Sequence, residues 1–217
     1  NEIFRRIDPA KRTIGEFMAE QLAAPLDADV ICGVGDSDLS RIVPLTMPGV
    51  GFYVRESFKS KGRRRIEFNA LEGLALGARL MRQMRGGTTR GMPTPILDMG
   101  DFTNFSKADI AQGEVPSANG HCSARGLAKV AAVMARGGTW QGQEILNEKA
   151  HQGLHSLPVK ADMGFVTTFT QGGVAYFHPL SDESDSLERS LNEGREGFFG
   201  WMGAGGSVFQ WHPEYDI

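Results

Sequence analysis

Phe198-Phe199-Gly200-Trp201-Met202-Gly203-Ala204-Gly205-Gly206-Ser207-Val208-Phe209 is the stretch whose reading decides the fold. Aromatic and apolar residues flank a cluster of small ones, so Phe198 to Met202 and Ser207 to Trp211 read as two strands joined across glycines. Gly203, Gly205 and Gly206 carry no side chain, which lets the backbone come close to whatever lies against it. Two readings follow from these residues alone. One is a tight turn between strands; the other is a strand that lies against a bound group.

Outward from that stretch, the alternation over Phe165-Val166-Thr167-Thr168-Phe169-Thr170 and Val174-Ala175-Tyr176-Phe177, with Gly172-Gly173 between, predicts a hairpin. The helices stand nearer the N-terminus. Thr13 with Glu16 forms a capping box for a helix whose Ile14, Phe17, Met18 and Leu22 share a face and which ends at Pro25. Asn69 caps a second, with Leu71, Leu74, Ala75, Ala78 and Met81 at helical spacing and Arg79, Arg82 and Arg85 on its other face. Ser123 caps a third, with Leu127, Val130, Ala131 and Met134 as a buried stripe and Gly137 as its stop. Asn147 opens a short helix running to about Leu154. Antiparallel strands flanked by helices make an α+β architecture, with helices and loops over 1–160 and the sheet over 161–217.

Two segments together carry a family resemblance. The first is Trp201-Met202-Gly203-Ala204; the second is Pro116-Ser117-Ala118-Asn119-Gly120 followed by Ser123-Ala124-Arg125-Gly126-Leu127-Ala128-Lys129 and Gly137-Gly138. They resemble the third motif and the loop-plus-helix of β-lactamase-related serine hydrolases, the class C-like and family VIII esterase-like group. The opening from Asn1 to Leu26 is similar to the helix after that family's second motif. The resemblance covers most of the chain, in the order of the family's C-terminal half.

The resemblance implies a partial β-lactamase/transpeptidase-like fold and an acyl-enzyme mechanism on an ester or amide. It makes the backbone N–H of Ala204 an oxyanion donor, Gly203 the glycine before it and Trp201 a wall of the acyl pocket. A pre-aimed donor of this kind supplies about 3 kcal/mol in the transition state. Ser117, Asn119 and His121 become residues of the substrate-lining loop. Ser117-Ala118-Asn119 also mimics the Ser-x-Asn form of the second motif, although its position fits the lining loop better.

The nucleophile of that family is a serine three residues before a lysine. The residues three before each lysine here are Asp8, Glu56, Phe58, Asn104, Gly126, Leu146 and Leu157, and none is serine or threonine. Nor is there a Gly-x-Ser-x-Gly elbow. The expectation is therefore half of an active site with the nucleophile supplied from outside these residues. A non-catalytic β-lactamase-like interaction protein is the alternative. Compared with the family, the sheet would lack its final strand and terminal helices, so a partner or further segment is expected to cover it.

Composition narrows the remaining classes. The chain has 217 residues, a net charge of -3, 41% hydrophobic and 23% charged residues, which are values of an ordinary globular domain with no general pull toward nucleic acid. Lys59 to Arg65 holds five cations in seven residues, yet no aromatic platform accompanies it, so it reads as a solvated loop. Asp182 to Glu196, with six acids and two arginines, reads as an acidic loop at the cleft rim. No apolar run is long enough to span a bilayer. Cys32 and Cys122 are too few for a disulfide framework or a zinc site. His151 and His155 share metal-ligand spacing, but Gln152 stands where a zincin has glutamate and a third ligand is lacking, so no metal or cofactor is expected. Trp201 in place of lysine removes the cation that would pair with a β-lactam carboxylate.

Overall fold

The computed structural model describes the chain apart from residues 47, 67–68, 76–77, 79–101, 163–165 and 204–206. Its largest unit is a five-stranded antiparallel sheet in sequential order, built from β5 (Val159–Asp162), β6 (Val166–Phe169), β7 (Ala175–Tyr176), β8 (Phe199–Met202) and β9 (Val208–Trp211). Two small pairs precede it. β1 (Val30–Cys32) pairs with β2 (Gly120–Cys122), and β3 (Thr139–Trp140) with β4 (Gln143–Glu144). The architecture is the expected α+β one, with four strands, β6 to β9, at the predicted hairpin and glycine stretch. β5 and both small pairs, by contrast, have too few alternating residues to stand out from loops in the sequence.

The helices among the described residues are α1 (Glu2–Ile7), α2 (Ile14–Met18), α3 (Ala24–Leu26), α4 (Val50–Ser57), α5 (Ala108–Gln112), α6 (Ala124–Ala135), α7 (Glu148–His155) and α8 (Ser186–Asn192). None is long and apolar enough to cross a membrane. The Thr13–Glu16 capping box is present, its hydroxyl accepting from Glu16 N–H at 3.1 Å and the Glu16 carboxylate from Thr13 N–H at 2.7 Å. This helix runs one residue past Pro25. A π turn over Ala19–Ala23 widens the ladder before the proline, where its ring would strike a regular helix, and the helix ends at Leu26, with Asp27 in a left-handed conformation.

Asn69 does cap a helical stretch over 70–75, accepting from Leu71 and Glu72 N–H at 3.0 Å each. Leu71 and Leu74, expected on a buried face, are 78% and 72% exposed. Met81 and the arginine face of that helix lie outside the described residues.

α6 anchors the molecule. Ser123 Oγ accepts from Gly126 N–H at 3.0 Å, and Gly138 N–H closes the other end on Val133 O at 2.9 Å with Gly137 at φ +65°. Of the expected stripe Val130 is buried, while Leu127, Ala131 and Met134 are half-buried, and the other buried residues are Gly126, Val133 and Ala135. At Gly126 the reason is close approach: a Cβ there would sit 2.5 Å from Asp29 O, so the helix leans on that backbone. Leu26, Val130 and Val133 form the core, and Phe209 of β9 packs against it.

The acidic segment before β8 is not a loop throughout. Asp185 caps α8 by accepting from Glu188 N–H at 2.8 Å, and Glu188 and Asn192 are buried. The basic run is partly internal too. Glu56 is fully buried and takes Lys59 Nζ and, at 3.0 Å, Arg65 N–H, so Lys59 neutralises a carboxylate rather than facing solvent alone.

Candidate functional site

The register aligns Lys160, Thr168, Tyr176, Phe199 and Trp211 in one row across the five strands. Next to that row, Trp201 pairs with Phe209 and Gly200 with Gln210. Gly200 has φ +143° and its missing Cβ would lie 1.9 Å from Phe209 O, so only glycine lets β8 and β9 approach this closely. Gly203 N–H donates to Ser207 O at 2.8 Å, closing the β8–β9 connection around residues 204–206. Ala204, the expected oxyanion donor, lies in that connection and outside the described residues.

Trp201 is 44% exposed at the end of β8, with its ring 5.3 Å from that of Phe169. Beneath it, between β6–β8 and α8, is a cavity of about 110 Å³ lined by Thr167, Thr168, Tyr176, Leu191, Trp201 and Met202 among others. None of its described lining residues carries a charge. Arg195 stands beside it, its guanidinium 5.8 Å from the Phe177 ring centre and against Met202 Sδ.

A buried polar chain runs along the same wall. Thr168 Oγ1 lies 3.0 Å from His178 Nδ1, His178 Nε2 is 2.7 Å from Glu188 Oε1, and Lys160 Nζ donates to that same oxygen at 2.9 Å. Hydrogen bonds from Lys160 and then His178 hold the Glu188 carboxyl down to about 2. An ionised carboxylate only accepts, so His178 Nε2 carries a proton and, in the neutral imidazole, Nδ1 accepts from the Thr168 hydroxyl. Hydroxyl, imidazole and carboxylate thus stand in series, but the cation on Glu188 fixes the chain as a clamp between β5, β6 and α8. Sequence reading missed this group. Asp185 followed three residues later by Glu188 is a helix-start signature that would have found α8; nothing in the spacing announces Thr168 or His178.

The second predicted segment belongs to the β1–β2 pair. Ser117 lies in an exposed turn. Asn119 is buried and its side chain is spent locally: Oδ1 accepts from Val115 N–H at 2.9 Å, and Nδ2 donates to Ile110 O at 2.7 Å and to Gly113 O. Its polar atoms hold the loop in shape and leave little to offer a ligand. His121 pairs with Ile31 on β2, and its Nδ1 is buried without a hydrogen-bond partner among the described residues. His121 thus sits on the β1–β2 pair, with Ser117 and Asn119 in the turn and loop that lead into it, whereas Trp201 and Gly203 belong to the end of β8 in the five-stranded sheet and the residue after it.

Among the described residues no group of three or more His, Cys, Asp or Glu is placed to hold a metal. His151 and His155 do meet, with ring centres 4.4 Å apart, yet both ring nitrogens of His155 and Nε2 of His151 are engaged. His151 Nε2 contacts Met134 O, and His155 contacts His151 O and Trp211, all at 2.8 Å. Cys32 is buried, which pushes its thiol up, and Cys122 is exposed.

A solved structure described as a novel penicillin-binding protein homologue from Caulobacter crescentus is similar to this chain, with a TM-score of 0.59 and 21% identity. The match covers 99% of this chain and 47% of that one, so the chain spans about half of that protein's length. The likeness shows the fold: part of a transpeptidase/β-lactamase-like fold, with the antiparallel sheet and flanking helices described above. No protein-family model matches the chain, and no curated protein matches it.

Proposed function

We propose that this chain forms one side of the active site of a serine hydrolase that cleaves an ester or amide through an acyl-enzyme, with the nucleophile supplied from outside residues 1–217. The observation that carries the reading is the end of β8. There Trp201 stands half exposed over a cavity, and the Gly203–Ser207 hydrogen bond closes the connection that contains Ala204. A backbone N–H presented from such a connection is the type of fixed donor that stabilises a developing oxyanion without reorganising. Likeness in fold to a penicillin-binding protein homologue supports the same class of chemistry.

In this reading a serine attacks the carbonyl carbon, the carbonyl π electrons move to the oxygen beside Ala204 N–H, and the leaving group departs with a proton. Water then releases the acyl group. Trp201 packs beside the acyl carbon. Ser117 and His121 would line the far rim, while Asn119 shapes the loop that presents them. The absence of serine or threonine three residues before any lysine favours one other reading, a non-catalytic relative that keeps the fold for binding. Hydrolysis of p-nitrophenyl esters by the native protein, lost on trapping of a serine outside these residues, separates the two.

A further inference from the structure

We infer that the cavity between β6–β8 and α8 is a binding pocket for a short, unbranched apolar chain, and that Leu191 sets the longest chain it admits. Taken with the hydrolase reading, on which this part rests, that chain is the acyl substituent of the substrate. The cavity has the chemistry for it. Leu191, Met202, Tyr176 and Trp201 supply apolar surface, and no charged residue lines it among those described. Of its polar lining groups, the Thr168 hydroxyl is committed to His178 and the Asn192 amide N–H to Glu188 O.

Size makes the assignment specific. Protein interiors leave few voids larger than a water molecule. A dry cavity of about 150 Å³ accepts benzene, with its six carbons, so about 110 Å³ suits a chain of roughly four. Trp201, which is half exposed, lines the cavity on the sheet side, and Leu191 and Asn192 of α8 form the wall against the sheet. That wall is fixed in place, because Glu188 is held by both Lys160 and His178 and Asn192 Nδ2 donates to Glu188 O at 2.9 Å. A wall so clamped measures length, whereas a loose one would yield to it.

The test is a titration of the full chain with the n-alkanols from ethanol to octanol, read by NMR from the Met202 methyl after ¹³C-methyl labelling of methionine. The Met202 signal is identified by its loss in Met202→Leu. Affinity should rise about fourfold per methylene, as burial of one methylene predicts, and stop rising near butanol. Leu191→Ala should move that break one or two carbons further, and Leu191→Val should move it in the same direction by less. A Met202 methyl that no alkanol shifts, or a break unmoved in both variants, would overturn the proposal. The readout needs no nucleophile. Alkanol binding with a break set by Leu191, in a protein that hydrolyses no ester, keeps the pocket and ends the hydrolase reading; ester hydrolysis with no alkanol at Met202 does the reverse.

Discussion

The indole N–H of Trp211 donates to His155 Nε2 at 2.8 Å, joining the last strand of the sheet to the end of α7. Trp211 is only 2% exposed, and an indole N–H can donate but not accept. His155 Nε2 must therefore be unprotonated, and its Nδ1–H donates to His151 O at 2.8 Å. Burial, the largest cause, lowers the pKa of His155 and keeps the ring neutral. The β6–β7 hairpin is tied to the same helix end, since Thr170 Oγ1 donates to Leu154 O at 2.7 Å.

Replacing His155 by Phe keeps an aromatic ring near Phe199 but leaves the Trp211 N–H buried without an acceptor. Stability should fall by about 1–3 kcal/mol, measured by urea unfolding at pH 7.5. The pH dependence has a fixed sign. Below the unfolded histidine value of about 6.5 the unfolded chain binds a proton that the folded chain resists, so this contribution is present above that pH and fades as pH falls. The fading should be absent in His155→Phe.

Glu188 titrates in a lower window. Its folded value of about 2 lies below the ordinary 4.5, so its contribution is complete above pH 4.5 and is lost as pH falls toward 2. Glu188→Gln should remove that acid-sensitive component and loosen α8. Acid titration of both proteins followed by tryptophan fluorescence checks it.

Gly200→Ala should be among the most damaging single changes, costing about 3 kcal/mol or more, because the new methyl meets Phe209 O at 1.9 Å and the φ of +143° disfavours a side chain. Gly49→Ala, where nothing lies within 4 Å, is the control. Comparing the two midpoints of thermal unfolding decides the matter.

Asn119→Ala should cost about 2 kcal/mol, because three backbone groups of residues 110–115 lose their partner. Ser117→Ala, in an exposed turn, should stay within about 0.5 kcal/mol. Chemical denaturation of the two variants separates a loop lock from a surface position.

What the sequence made legible was whatever local chemistry fixes. Thr13, Asn69, Ser123 and Asn147 each cap a helix through their own side chain, and glycines mark the β8–β9 connection whether or not a ligand is bound. What stayed hidden depends on distant partners. Lys160, Thr168, His178 and Glu188 come from four separate segments, and their meeting has no spacing to betray it. Asn119 was legible as part of a motif, but its backbone partners decide what it does. The apolar face of Leu71 and Leu74 was legible as a pattern too, yet both residues are exposed, because periodicity records what a helix could bury and not what packs on it.

Active-site labelling of the native full-length protein with a fluorophosphonate probe, followed by peptide mapping, tests most directly whether this chain walls a serine-hydrolase site. One labelled serine is expected outside residues 1–217, three residues before the lysine of a Ser-x-x-Lys run, with labelling slowed about tenfold or more by Gly203→Val, which crowds the connection bearing the oxyanion donor. A native protein that takes no label, or whose label lies on Ser117 or another residue of this chain, would contradict that role.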